Sequence, residues 1–286
     1  MSRRCRVGGV PEHFNLPWYQ AAERGLFEDT DLAYEWEEYP EGTGAMLRDL
    51  SAGKLDVAVL LTEGIATHIA TGGDGVILGT YVDSPLIWGI HVHGESSYQD
   101  VASLERARFA ISRPRSGSHL MAFVLAEQQG WEPEQVQFVE VGHLVGAREA
   151  MAAQEADVFL WEKFTTKPVV DSGEWRRVGT CHAPWPPFVL ASRRGFAEER
   201  REDASLLMER IRPLCRAMHE EREATVADIV ARFGQRPEDV EQWLSETHWV
   251  CEPGLDEGAI ALVLRQLAGL GVLEEGTLPE PASLLR

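Results

Sequence analysis

Two stretches decide the fold: Gly53-Lys54-Leu55-Asp56-Val57-Ala58-Val59-Leu60 and Gln154-Glu155-Ala156-Asp157-Val158-Phe159-Leu160-Trp161. In each, a helix end is followed by Asp-Val and then by a continuous apolar run, which reads as a strand buried on both faces. Both runs lead into a glutamate, Glu63 and Glu162. Strands covered on both faces belong to sheets flanked by helices, so the echo points to two similar βαβαβ lobes in one chain.

The surrounding pattern alternates in the same way. Upstream, Arg6–Val10 reads as a strand, and Pro17, Trp18, Ala21 and Ala22 mark a helix that Gly25 ends. Leu32–Tyr39 alternates apolar and acidic residues as a half-exposed strand does, and Thr43 is placed to cap a helix carrying Met46, Leu47 and Leu50. Around the second stretch, Arg108–Ile111 and Val136–Val141 read as strands, with Ser118–Gln129 and Ala147–Glu155 as helices. Two β-rich segments introduced by prolines, Leu86–Val92 and Pro187–Ala191, are the expected crossings between lobes. Lobe one is then about residues 1–84 plus 190–286, and lobe two residues 85–189. Everything after Ser192 reads as helical, with a Pro- and Leu-rich loop from Gly276.

Composition narrows the function classes. The 286 residues carry a formal net charge of −19, which disfavours nucleic acid and anionic membrane surfaces as partners. No apolar stretch approaches membrane-span length, and none follows Arg3, Arg4 and Arg6 as a secretory leader requires. Cys5, Cys181, Cys215 and Cys251 show no CxxC pairing and read as four reduced thiols. These features predict a cytoplasmic protein. His91 and His93 alternate on a strand but lack further ligands at metal-binding spacing, so no metal is expected; nor is any cofactor, since no GxGxxG, P-loop or GxSxG motif occurs.

The ordered motifs carry a resemblance. Val7-Gly8-Gly9-Val10-Pro11, Ala22-Glu23-Arg24-Gly25-Leu26-Phe27, Ala52-Gly53-Lys54-Leu55-Asp56-Val57-Ala58-Val59, Val101-Ala102-Ser103-Leu104, and Ile111-Ser112-Arg113 leading to Ser116-Gly117-Ser118 stand in sequence over roughly residues 5–195. The chain resembles the solute-binding proteins of the alkanesulfonate, nitrate and taurine type and the related fungal thiamine-pyrimidine synthases. Pro11-Glu12-His13-Phe14, Thr62-Glu63-Gly64 and Phe159-Leu160-Trp161-Glu162 look closest to a cytosolic branch of that superfamily whose ligand is not settled. The resemblance implies a two-lobed α/β periplasmic-binding-protein type II fold with a ligand cleft between lobes and a helical C-terminal completion.

In such folds ligands lie beyond the carboxyl ends of strands, at helix N-termini. That rule selects His13, Phe14, Asn15 and Trp18 after the first strand, Glu41, Gly42 and Thr43 before the second helix, and Thr62 and Glu63 after the third strand. In lobe two it selects Arg113, Ser116, Gly117, Ser118 and His119, then Trp161 and Glu162; Trp185 joins them as an aromatic wall. Arg113 suits either an anion or a partner carboxylate, Glu41 or Glu162. The tryptophans have a second reading as core packing, and the serines as a simple helix cap.

The function expected is non-catalytic capture of a small polar, ring-bearing, pyrimidine-like metabolite. The alternatives are an enzyme on the same fold, in thiamine-pyrimidine or menaquinone-precursor metabolism, and a sulfonate- or carboxylate-binding transporter component. Suicidal pyrimidine synthesis is disfavoured, because the Cys cluster and the Lys-x-x-x-His placement of its relatives are missing after the third strand, which continues Thr62-Glu63-Gly64-Ile65-Ala66. The partner is a small molecule; oligomeric state is left open.

Overall fold

The computed structural model describes residues 3–254, 256–274, 276 and 278–285; Met1, Ser2, Leu255, Glu275, Thr277 and Arg286, which the expected lobe one includes, lie outside that set. The chain divides into two compact units. Unit one comprises Met1–Ser84, Trp185–Gly269 and Leu273–Arg286, and unit two Pro85–Pro184 with Leu270–Val272.

Unit one is built on a six-stranded mixed sheet. Its strands are β1 (Arg3–Gly9), β2 (Leu32–Glu38), β3 (Val57–Leu61), β4 (Val76–Val82), β10 (Phe188–Ser192) and β11 (Trp249–Pro253), in the order β11-β4-β10-β3-β1-β2. β1 pairs in parallel with β2 and β3, whereas β10 is antiparallel to both β3 and β4. β10 and β4 are buried along their whole length, as the inner position requires. Helices α1 (Leu16–Glu23), α2 (Thr43–Ser51) and α3 (Thr62–Ala70) follow β1, β2 and β3 in turn. The C-terminal part adds α7 (Arg194–Glu199), α8 (Arg201–Glu220), α9 (Arg222–Phe233), α10 (Pro237–Glu246) and α11 (Glu257–Gly269).

Unit two has a five-stranded sheet in the order β7-β6-β8-β5-β9: β5 (Ile87–His93), β6 (Arg108–Ile111), β7 (Gln137–Glu140), β8 (Val158–Glu162) and β9 (Trp175–His182). Its helices are α4 (Gly117–Gln129), α5 (Leu144–Ala152) and the short α6 (Lys167–Asp171). One core cluster packs Ala147 and Met151 of α5 against Phe159 and Trp175.

The Asp-Val echo has a physical basis. In unit one Arg6 donates its backbone N–H and its Nε to Asp56 Oδ2 at 2.9 and 3.0 Å, and its Nη2 to the Gly53 carbonyl at 2.8 Å. In unit two Arg108 does the same to Asp157, at 2.8 and 2.9 Å, and to the Gln154 carbonyl at 2.7 Å. Gly53 and Gln154 both end a helix in the left-handed region, with φ of 67° and 57°. Each latch fastens a strand, β1 or β6, to the helix-strand turn beside it.

Several expectations are corrected. The region after Ser192 is not all helical: β11 runs antiparallel along the sheet edge beside β4. With only Trp249, Val250 and Cys251 before Glu252 and Pro253, its apolar run between helices is too short to stand out as a strand. The tail from Gly276 contains a 3-10 turn, Pro281–Leu284. Thr43 is the first residue of α2 rather than its cap; Gly42 holds the cap position at φ 76°, a conformation that suits glycine. The four reduced thiols are two: Cys215 of α8 and Cys251 of β11 form a disulfide, while Cys5 and Cys181 are free and buried. A pairing across 36 residues leaves no local spacing signal.

Candidate functional site

In unit one the selected residues gather where β1, β2 and β3 end. After β1 the chain makes a 3-10 turn, His13–Asn15, fully buried. Asn15 braces it by donating Nδ2 to the Val10 carbonyl at 2.8 Å, and the Phe14 carbonyl accepts Tyr81 Oη at 2.7 Å and Trp249 Nε1 at 3.1 Å. His13 stands edge-on to Trp243 with ring centroids 4.2 Å apart and meets Gln235 Nε2 through Nδ1 at 3.0 Å. Burial pulls its pKa down to about 3, so the imidazole is neutral. Phe14 lies 4.9 Å from Phe188.

Trp18 is wholly buried and parallel to Trp36, with centroids 6.1 Å apart, and its side chain belongs to the core of unit one. Thr43 accepts the Leu61 N–H at 3.4 Å and packs its methyl against Gly64, where a Cβ would collide with it. Glu41 is exposed, one residue before the Gly42 cap.

Thr62 and Glu63 open α3. Thr62 donates its N–H to the Pro187 carbonyl at 2.9 Å and its hydroxyl to the Pro186 carbonyl at 2.6 Å. Glu63 is buried, and its Oε2 accepts Trp185 Nε1 at 2.8 Å. Burial raises its pKa to about 7, against the lowering effect of hydrogen bonds from its own N–H and from Trp185. The segment Trp185–Pro187 is thus fastened to the first turn of α3 by three hydrogen bonds.

In unit two, Ser116 caps α4 by accepting the His119 N–H, while Ser118 Oγ accepts the Ser112 N–H at 3.0 Å. The two hydroxyls meet at 3.1 Å, which stiffens the loop. The first-turn amides of a helix lie outside its own hydrogen-bond ladder, so those of Gly117 and Ser118 face whatever approaches that end. Arg113 is half-buried just before this loop. His119 is edge-on to Phe138, with centroids 4.4 Å apart.

Glu162 ends β8, fully buried, with Oε2 accepting the N–H groups of Phe164 (2.9 Å) and Thr165 (2.6 Å). Burial raises its pKa to about 7 despite those bonds. Trp161 is half-buried, stacked on Phe159 at 5.2 Å and edge-on to Trp88. Of the two alternating histidines, His91 is buried: Nδ1 donates to the Phe159 carbonyl at 3.2 Å, leaving Nε2 to meet the Thr166 hydroxyl at 2.9 Å. Both its ring nitrogens are committed to protein partners. Among the described residues no cluster of three or more His, Cys, Asp or Glu side chains could hold a metal ion.

Sequence reasoning did not single out Tyr81, Trp249 and Gln235, whose side chains hold the His13–Asn15 turn from distant positions. Trp249 stands in a strand that the helical reading erased, and Tyr81 in β4, whose central Gly79-Thr80 interrupts the apolar signal.

A family model described as Ca3427-like PBP matches residues 88–181. The solved Candida albicans CA3427 gene product, described as exhibiting the generic periplasmic binding protein fold, is 25% identical, with a TM-score of 0.90 over 99% of this chain and 95% of that one. The alkanesulfonate-binding protein SsuA from Xanthomonas axonopodis pv. citri, bound to MOPS, is 18% identical with a TM-score of 0.84, covering 100% of this chain and 99% of that one. The periplasmic nitrate-binding protein NrtA from Synechocystis PCC 6803 is 15% identical with a TM-score of 0.79, covering 100% and 86%. No curated protein matches the chain. Among the described residues no helix is long and apolar enough to cross a membrane.

These likenesses overturn the expectation of a cytoplasmic protein: the structural relatives include periplasmic binding proteins, which argues against a purely cytoplasmic chain. The chain has a two-lobed periplasmic-binding-protein type II fold, the fold it shares with the CA3427 gene product and with the SsuA and NrtA binding proteins, and its residues 88–181 match the Ca3427-like model.

Proposed function

We propose that the protein is an extracytoplasmic solute-binding component of a transporter that captures a small organic anion, a sulfonate or carboxylate, without transforming it. The observation that carries this reading is the N-terminus of α4: a 13-residue helix capped by Ser116, with a hydroxyl-braced loop, first-turn amides at Gly117 and Ser118, and Arg113 alongside. Helix N-termini favour anions through their amides and aligned dipoles. The similarity to a sulfonate-binding protein holding MOPS supports the same ligand class. The Cys215–Cys251 disulfide supports an oxidising compartment, where such bonds persist.

A second reading, a ring-bearing pyrimidine-like ligand, is favoured by Glu63 and Glu162. Both carboxyls are buried and titrate at about 7, so each exchanges between donating and accepting a hydrogen bond near neutral pH. The discriminating experiment is a thermal-shift and calorimetric screen of MOPS, methanesulfonate, small carboxylates and pyrimidines. The anion reading expects stabilisation by the first three classes and its loss in Arg113→Ala. Stabilisation by pyrimidines alone, lost in Glu162→Gln, reverses the assignment. Conversion of any hit, seen by mass spectrometry, reassigns the protein as an enzyme.

A further inference from the structure

We infer that Trp249 is a positioning residue for the His13–Asn15 turn, held in that role by the Cys215–Cys251 disulfide; only its effect on ligand affinity rests on the solute-binding reading, with the residues after β1 expected to meet the ligand. Two side chains converge on one backbone atom of the turn. Tyr81 Oη and Trp249 Nε1 both donate to the Phe14 carbonyl, at 2.7 and 3.1 Å. The next residue is Asn15, whose amide closes the turn onto the Glu12 carbonyl at 3.0 Å. Fixing the Phe14 carbonyl therefore fixes the peptide plane that carries the Asn15 N–H.

Trp249 reaches the turn because of a local irregularity. β11 lies at the edge of the sheet, and its register against β4 shifts between Trp249 and Glu252. Cys251 sits inside that shift at φ 47°, the left-handed region that a residue with a Cβ adopts only when its surroundings impose it. Two contacts from α8 impose it: the disulfide to Cys215, and Arg212 Nε donating to the Cys251 carbonyl at 3.2 Å. A bulge re-aims the side chains beside it, and here the re-aimed residue is Trp249. Edge strands are otherwise the least constrained part of a sheet, so the covalent tie falls where it constrains most.

Core packing alone also accounts for a buried Trp249, so the test separates its indole N–H from its ring. Trp249→Phe keeps an aromatic ring for its contacts with Phe14 and Trp243 but deletes the donor. Hydrogen exchange at the Asn15 amide is read in Trp249→Phe, Trp249→His and the Cys215→Ala/Cys251→Ala double variant. The expected result is exchange at Asn15 faster by roughly three- to tenfold in the first and last, with β3 amides unchanged. Trp249→His, which retains a ring N–H, recovers most of the protection. Wild-type exchange at Asn15 in Trp249→Phe overturns the inference, as does a rise spread evenly over unit one. With a bound sulfonate such as MOPS as probe, Kd rises by the same factor in the same variants. If Asn15 exchange responds but no anion binds the wild type, the proposed function fails and the positioning role stands.

Discussion

Trp185 donates its indole N–H to Glu63 across 122 residues of sequence, at 2.8 Å, and both side chains are buried. A carboxylate so placed has lost its water and depends on the few donors left to it. Trp185→Phe removes one of them while keeping an aromatic ring. The expected loss of stability is about 1–3 kcal/mol at pH 8, where Glu63 is ionised, and less at pH 5, where the neutral acid needs the bond less. Urea unfolding at both pH values measures it. An equal loss at the two would mean that Glu63 keeps one protonation state throughout.

The raised carboxyls also shape stability against pH. Glu63 titrates near 4.5 when unfolded and about 7 when folded, so folding retains a proton across that window. Its contribution is complete below pH 4.5 and declines as pH rises to 7, by about 1.4 kcal/mol per pH unit for a group that keeps the whole proton. Glu162 behaves alike. His13 and His91 oppose them: their pKa falls from 6.5 to about 3, so their contribution is complete above 6.5 and is lost as pH drops. Glu63→Gln should therefore give a protein whose stability rises more steeply with pH than the wild type between 4.5 and 6.5. Parallel profiles would show that Glu63 is ionised throughout that range.

The latches are a separate test of what holds each sheet to its neighbouring turn. Asp56 is buried and accepts three hydrogen bonds from Arg6. Asp56→Ala leaves the Arg6 guanidinium and a backbone N–H without their acceptor, and about 1–3 kcal/mol of stability should be lost. Asp157 is more exposed, so Asp157→Ala should cost less. The reverse order in chemical denaturation would contradict the burial argument.

Much of the two-sheet fold was legible because Asp56-Val57 and Asp157-Val158 sit at points where the apolar period changes from helix to strand. The same echo misled in detail. Counting five residues on from each latch aspartate reaches Leu61 in one unit and Glu162 in the other, so the two glutamates are not equivalent. Glu63 opens a helix, whereas Glu162 ends a strand. The strand Trp175–His182 escaped detection because Arg176, Arg177, Gly179 and Thr180 break its apolar signal. Trp185–Glu63, Trp249–Phe14 and Cys215–Cys251 join distant positions, and no local spacing encodes such pairs.

Gly64 tests local packing under the α2 terminus. Its missing Cβ is the space that the Thr43 methyl occupies. Gly64→Ala should destabilise unit one by about 1–3 kcal/mol, as overpacking does. Pairing it with Thr43→Ser, which deletes that methyl but keeps the hydroxyl acceptor for Leu61 N–H, should recover most of the loss. Additive losses in the double variant would place the strain elsewhere.

The disulfide gives the last prediction. It closes a loop of 36 residues that contains α9, α10 and the start of β11, between a buried cysteine on α8 and another on the sheet edge. Constraining an unfolded loop of that size is worth roughly 2–4 kcal/mol. The Cys215→Ala/Cys251→Ala variant should unfold at correspondingly lower denaturant, with an unchanged free-thiol count for Cys5 and Cys181 in the unfolded state. Since β11 pairs with β4 on one edge only, amides of β4 facing β11 should lose protection first, while those of β3, covered on both sides, stay as in the wild type. Protection lost equally in β3 and β4 would mean that the bond stabilises the whole unit and not the edge strand.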